Sequence, residues 1–264
     1  MITFPNCKIN LGLHVVGKRA DGYHDLETIF LPVNDLRDEL EILPTTHYPL
    51  PTMHQDGITL DNMPEDNLCM KAWRLLHEEF NIPAVSIRLK KNIPFGAGLG
   101  GGSSDAAFTL KMLNEIFSLG MSVNDLERKA ANLGADCAFF IQNHAAYATG
   151  IGDQLESLPE FSILNSQFSI QIEIPDGEHV STKEAYSGLS PFTSHLSPRP
   201  DLRETIKRPV EEWRNLIVND FEASVFPAHP AIAELKDDMY RRGALYASMT
   251  GSGAAVFGIF RIEK

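Results

Sequence analysis

Basic residues are in short supply: 23 Lys and Arg stand against 35 Asp and Glu, a formal net charge of −12. That balance disfavours a nucleic-acid or anionic-membrane binder, since both need a basic face. A small anion is not excluded, because oriented backbone amides and one or two lysines can hold a phosphate locally. Cysteine is scarce as well. Cys7, Cys69 and Cys137 are widely spaced, which argues against a disulfide framework and against a cysteine-based zinc site, and fits a reducing cytoplasm. No apolar run approaches the roughly 20 residues a membrane helix needs. Residues 1–6 have neither a basic n-region nor a long apolar h-region, so no secretory signal is expected. His47, His54, His77, His144, His179 and His229 do not cluster at ligand spacing and read as structural or surface residues, and no dedicated metal cage is offered.

The 264 residues leave room for one large or two modest domains, and the hydrophobic share of 43% is ordinary for a chain that buries a core. A soft boundary falls near residues 155–165, with the division placed between 1–158 and 159–264. Residues 6–16 alternate. Cys7, Ile9, Leu11, Leu13 and Val15 lie on one face, and Asn6, Lys8, Asn10 and His14 on the other, the period of a strand. Asp21-Gly22 is a turn signal, and a second strand is expected over 26–33. Residues 44–66 carry four prolines and read mostly as loop. A helix is expected over 67–80 from the stripe Leu68, Ala72, Leu75, Leu76, Phe80, then a strand over 85–91. Past a glycine-rich stretch, a helix should begin at 103–105 and stop at Gly120, and another should run from Ser122 to Leu133. Further strands are expected over 138–148, 167–174, 244–249 and 254–260, the last two paired. Helices are expected near 203–217 and 230–242, and a long Ser/Pro-rich loop over 187–202.

The glycine-rich stretch joins a strand to a helix. That connection gathers free backbone N–H groups and the positive end of a helix dipole at one point, which suits phosphate, although a flexible turn has the same letters. Gly96, Gly98 and Gly101 satisfy G-x-G-x-x-G. A dinucleotide-binding unit would also need an acidic residue at a strand end about 20 residues on, but Glu115 and Asp125 sit in helical patterns. The Gly-Lys-Ser/Thr of a Walker A loop is missing, and neither His-Arg-Asp nor Asp-Phe-Gly occurs. The loop therefore belongs to another class of phosphate binder.

Residues 94–107, Pro94-Phe95-Gly96-Ala97-Gly98-Leu99-Gly100-Gly101-Gly102-Ser103-Ser104-Asp105-Ala106-Ala107, strongly resemble the second motif of the GHMP kinases, the superfamily of galactokinase, homoserine kinase and mevalonate kinase. Met249-Thr250-Gly251-Ser252-Gly253-Ala254-Ala255-Val256-Phe257 resembles the third motif. Pro5-Asn6-Cys7-Lys8-Ile9-Asn10-Leu11, followed by Arg19-Ala20-Asp21-Gly22-Tyr23-His24, resembles the first motif in a narrower form. That form belongs to the branch that phosphorylates the 2-hydroxyl of 4-diphosphocytidyl-2-C-methyl-D-erythritol in the non-mevalonate isoprenoid pathway. Gly134-Ala135-Asp136 and Asn219-Asp220-Phe221-Glu222 also resemble that branch, so the likeness runs from residue 5 to residue 257.

The resemblance implies an α+β fold, the two-domain α/β GHMP architecture: an N-terminal domain like domain 2 of ribosomal protein S5 and a ferredoxin-like C-terminal domain. It implies ATP as co-substrate, with Mg²⁺ delivered on the phosphates, and a small cytidine diphosphate compound as partner. Asp136 would be the general base and Lys8 its charged partner. A carboxylate can take the alcohol's proton as attack proceeds, and an ammonium beside it stabilises developing negative charge. On the residues alone, a surface lysine and a turn aspartate are the plainer readings. Residues 94–104 would wrap the ATP phosphates, with Ser103 and Ser104 donating hydroxyls or capping the helix. Asn67 and Leu68 would lie on the adenine side, although Asn67 reads equally as an N-cap. Asn10, Tyr23, His24, Lys91, Thr182 and Tyr186 would contact the substrate. Tyr23 would stack on the cytosine and Tyr186 would form the opposite wall, where family members often carry phenylalanine. Lys91 would meet the diphosphate, or else end its strand in solvent. Cys7 and Cys137 read as packing residues. Two rivals stay open: another GHMP-type small-molecule kinase, which the run from Arg19 to His24 argues against, and a nucleotide-binding sensor without turnover, which intact Lys8 and Asp136 argue against.

Overall fold

The computed structural model describes residues 1–45, 50–58, 64–159, 161, 167–189 and 199–262. His47 and most of the Ser/Pro-rich stretch, residues 190–198, lie outside the described residues. The chain gathers into two compact units. The first comprises Met1–Lys8, Pro32–Phe95 and Gly100–Asn143, and the second Ile9–Leu31, Gly96–Leu99 and His144–Lys264.

In the first unit, β1 (Ile2–Thr3), β4 (Glu39–Pro44), β6 (Val85–Lys91) and β5 (Thr52–Gly57) form a sheet in the order β1-β4-β6-β5. β4 runs antiparallel and β5 parallel to β6. β6 alternates as its sequence dictates: Val85, Ile87, Leu89 and Lys91 point inward. α1 (Leu68–Phe80) and α2 (Gly101–Ile116) bury Leu76, Trp73, Leu110 and Leu113. α3 (Val123–Ala131) opens with a capping box between Ser122 and Asp125. One expectation fails here. Residues 138–148 hold a short helix, α4 (Phe139–Gln142), before the strand β7 (Ala146–Thr149) begins. Phe139, Phe140 and Ile141 are all buried. A continuous apolar run of this length suits a buried helical turn as well as a strand, so periodicity could not separate them.

In the second unit, β9 (Phe168–Glu173), β10 (Tyr246–Met249) and β11 (Val256–Arg261) form an antiparallel sheet ordered β10-β11-β9. Among the described residues, the helices α5 (Thr182–Ser187), α6 (Leu202–Thr205), α7 (Glu222–Val225) and α8 (Pro230–Arg241) follow β9 in the chain. Val180, Phe221, Ile232, Met239, Met249 and Val256 are among the residues of its core. The helix expected over 203–217 is broken. α6 stops at Thr205, and a 3-10 turn spans Val210–Asn215 after Pro209, which lacks the N–H that a continuing helix needs. A third sheet, β2-β3-β7-β8, is built from β2 (Asn6–Lys18), β3 (His24–Arg37), β7 and β8 (Gln154–Ser157). β2 and β3 run through both units.

Candidate active site

In the first unit, Lys8 and Asp136 meet. From Asn6 to His14, β2 is buried on both of its faces, so its polar side lies inside: Asn6 is 1% exposed, Asn10 3% and His14 1%. The plain reading of Lys8 as a surface lysine is thereby overturned. The Lys8 ammonium lies 3.3 Å from Asp136 Oδ2, with the lysine side chain 4% exposed and the aspartate 30%. Two ties fix this approach. Asn6 and Asn143 exchange side-chain hydrogen bonds of 2.7 and 3.2 Å, joining the start of β2 to the end of α4. Lys111 donates to the Phe140 carbonyl at 3.0 Å, holding α4, the helix next after Asp136. Burial pulls the Lys111 ammonium down to about 8. The buried thiols beside the pair, Cys7 and Cys137, are pushed up to about 12 and about 11. They pack, as expected, and are poor nucleophiles.

Helix α2 starts at Gly101, two residues earlier than expected, with Gly100 as its N-cap and no side-chain cap. Ser103 and Ser104 therefore stand inside the first turn and do not cap it. The Ser104 hydroxyl is buried and makes no hydrogen bond among the described residues. A Cβ at Gly100 would come within 3.2 Å of the Lys8 side chain, so the glycine loop ends against the catalytic candidates. Asn67 caps α1, its Oδ1 accepting from Cys69 N at 2.9 Å, and Leu68 packs beside Gly102. Phe95 is exposed and Pro94 half-buried.

Within the second unit, pieces of the three motifs converge. Gly98 has φ +78° and sits so close to the Thr250 carbonyl that an added Cβ would fall 2.2 Å from it, a place only glycine can fill. Thr250 Oγ1 donates toward the Gly98 carbonyl at 3.3 Å and accepts from the Asn10 backbone N–H at 2.9 Å. The Asn10 side-chain amide donates to Thr28 at 3.0 Å. His24 stacks on Tyr186 with centroids 4.6 Å apart and planes 21° apart, and Tyr186 meets Phe221 edge-on. Tyr23 is 63% exposed. The Thr182 hydroxyl lies 3.4 Å from Ser252 of the third motif.

Lys91 does not end its strand in solvent: it is 2% exposed, bound to Asp38 and, at 2.7 Å, to Asp105. Sequence reasoning passed over both aspartates, although the inward alternation Val85, Ile87, Leu89 already placed the lysine on the buried face. It also gave no role to Asn219 or Glu222. Asn219 donates to the Met249 and Gly251 carbonyls at 2.8 Å each, and Glu222 accepts from Met249 N at 2.9 Å, so both shape the third-motif loop. His179, taken as a structural or surface residue, lies against Gly96 of the glycine loop. No signal in the sequence pointed there. Among the described residues no group of three or more His, Cys, Asp or Glu side chains is arranged to hold a metal ion, and no helix is long and apolar enough to cross a membrane.

Two family models match this chain: the GHMP kinases N terminal domain over residues 67–150 and the GHMP kinases C terminal over residues 200–264. The 4-diphosphocytidyl-2-C-methyl-D-erythritol kinase of Bacteroides thetaiotaomicron is 51% identical over 264 residues, spanning 100% of this chain and 93% of that protein. Its namesake from Prosthecochloris aestuarii is 42% identical over 97% of this chain and 88% of its own length. Among solved structures, a 4-(cytidine 5'-diphospho)-2C-methyl-D-erythritol kinase superposes with TM-score 0.78 at 32% identity, covering 98% of this chain and 90% of that one. The mevalonate kinase of Methanococcus jannaschii superposes with TM-score 0.73 over 99% and 90%, and at 15% identity it bears on the fold alone.

Proposed function

Since the chain belongs to the 4-diphosphocytidyl-2-C-methyl-D-erythritol kinase family of the GHMP kinases, we propose that it transfers the γ-phosphoryl group of ATP to the 2-hydroxyl of that cytidine compound through Lys8 and Asp136. Its two-domain α/β architecture is that of the GHMP kinases, and we place the division between the domains at residues 158 and 159. The observation that carries the mechanism is the buried ammonium of Lys8, 3.3 Å from a carboxylate that keeps 30% of its surface open. An alcohol brought to that open edge can pass its proton to Asp136 as its oxygen forms the new bond to phosphorus. The bond from the γ-phosphorus to the ADP oxygen breaks, and ADP leaves with the electron pair. Lys8 stabilises the negative charge gathering on the attacking oxygen.

The uncapped first turn of α2, reached through glycines that allow close backbone approach, fits the triphosphate. Pro94, Phe95, Gly96, Ala97, Gly98, Leu99, Gly100, Gly101, Gly102, Ser103 and Ser104 are the proposed cradle, with Asn67 and Leu68 toward the adenine. Mg²⁺ would arrive on the phosphate oxygens and neutralise charge there. Tyr23, His24 and Tyr186 supply aromatic surface for a cytosine, and Asn10 and Thr182 supply polar contacts. The aromatic pair favours a pyrimidine substrate over mevalonate or homoserine. We place the enzyme in the cytoplasm on its three free, buried thiols. A coupled assay with ATP and the cytidine substrate, run beside mevalonate and homoserine, tests the reading: turnover is expected with the first alone, and equal turnover of all three would refute it.

A further inference from the structure

We propose that Lys91, Asp38 and Asp105 form a clamp that positions the two ends of the glycine loop for ATP, Lys91 acting through the loop and not by touching the substrate diphosphate. The proposal rests on reading that loop as the triphosphate cradle. All three side chains lie within the first unit and are 3% exposed or less. Each is attached to a different part of the loop's support. Lys91 is the last residue of β6. Asp38 sits between β3 and β4, and its Oδ1 accepts from the backbone N–H groups of Asn92 at 2.6 Å and Ile93 at 2.9 Å, the residues that lead into the loop. Asp105 is the fifth residue of α2, the helix that leaves the loop. One ammonium therefore bonds a carboxylate on the entry side and a carboxylate on the exit side. The two sides also touch directly: a Cβ at Gly101 would lie 2.8 Å from the Ile93 side chain and 3.3 Å from Lys91 Nζ. A diphosphate could reach this ammonium only by displacing carboxylates already bonded to it in a closed interior.

The charges do not balance, and that gives the clamp a signature. One ammonium serves two carboxylates. Burial alone would pull the Lys91 ammonium down, but Asp105 and Asp38 outweigh it and hold the ammonium above the ordinary lysine value. Burial pushes the Asp105 carboxyl up, Lys91 pulls against it, and the charge of Asp38 adds to the rise, leaving it at about 7. The Cys69 thiol of α1 also faces it, and that thiol is held well above its ordinary value by burial. Asp105 Oδ1 is buried without a hydrogen bond among the described residues. When Asp105 loses its proton, a net negative charge appears one turn below the helix start that faces the phosphates, which opposes anion binding.

The test measures KM for ATP and for the cytidine substrate from pH 6 to 8.5 in the full-length enzyme, in Asp105→Asn and in Lys91→Met, with ATP binding followed directly by calorimetry. The wild-type ATP KM is expected to rise about two- to fivefold more across that range than it does in Asp105→Asn, the size of one charge near a helix end. Comparison with Asp105→Asn removes the titration of ATP itself. Lys91→Met should raise the ATP KM about tenfold or more, one 1.4 kcal/mol step, and leave the cytidine-substrate KM within about twofold. The near-isosteric Asp105→Asn decides the matter if Lys91→Met does not fold. The clamp is refuted if Asp105→Asn keeps the wild-type pH slope, or if Lys91→Met weakens the cytidine substrate and spares ATP. If the wild type turns over none of the cytidine substrate, the proposed function fails instead, and the calorimetric pH dependence still judges the clamp.

Discussion

Two lysine–carboxylate sites stand in the same unit and differ most in how deeply their carboxylates are buried. At Lys8 the partner Asp136 keeps 30% of its side chain exposed and lies 3.3 Å away. At Lys91 the partners are both sealed and tightly bonded. Similar chemistry at different depth gives different work. An accessible carboxylate can take a proton from an incoming alcohol, whereas a sealed one can only hold structure in place or titrate with it. Burial, more than residue type, separates the proposed base from the proposed clamp.

The comparison breaks most sharply at Asp136. Asp136→Asn should lower kcat by about 10²- to 10⁴-fold, the usual worth of a general base, while calorimetry finds ATP binding within about twofold of wild type. Wild-type rates in that variant would remove the base assignment. Stability should divide the other way. Lys91→Met strands two buried carboxylates and should cost about 3–5 kcal/mol in urea unfolding, while Lys8→Met, which leaves Asp136 partly solvated, should cost about 1 kcal/mol. Equal losses would erase the distinction. A smaller effect follows from Asp105. Its folded value is raised from the ordinary carboxyl value to about 7, so the folded state holds a proton that the unfolded chain has released. That contribution to stability is complete below about pH 4 and is lost as pH rises to about 7. The melting temperature of Asp105→Asn relative to wild type should therefore climb from pH 4 to pH 7.5, and a flat difference would contradict the shift. The smallest signal expected is none: Cys7, Cys69 and Cys137, buried and with raised thiol values, should resist a thiol reagent at pH 8 until denaturant is added.

Much of this was legible in the residues. The alternation of 6–16 and 85–91, the stripe of 67–80 and the Ser122 cap became β2, β6, α1 and α3 because each pattern is set by neighbours a few residues away. By resemblance, the second motif named the cradle, the first named Lys8, and the run Gly134-Ala135-Asp136 named Asp136. What failed was local ambiguity or non-local pairing. Residues 138–142 could be strand or helix on periodicity alone, and the break at Pro209 was read through as one helix. Lys91 looked like a strand end, since nothing adjacent in the chain announces a carboxylate 53 residues away at Asp38. Asn219, whose bonds reach 30 and 32 residues onward, was silent for the same reason.

The order of elements, the glycine loop ahead of a helix and the acidic balance of the chain are properties of the sequence itself. They follow from short-range sterics, turn chemistry and net charge, which need no partner distant in the chain. Tertiary structure alone decided which lysine keeps an open carboxylate beside it and which is sealed between two. Burial is a property of everything packed around a group, and the cost of removing a charge from water depends on that whole environment and not on the residues next to it.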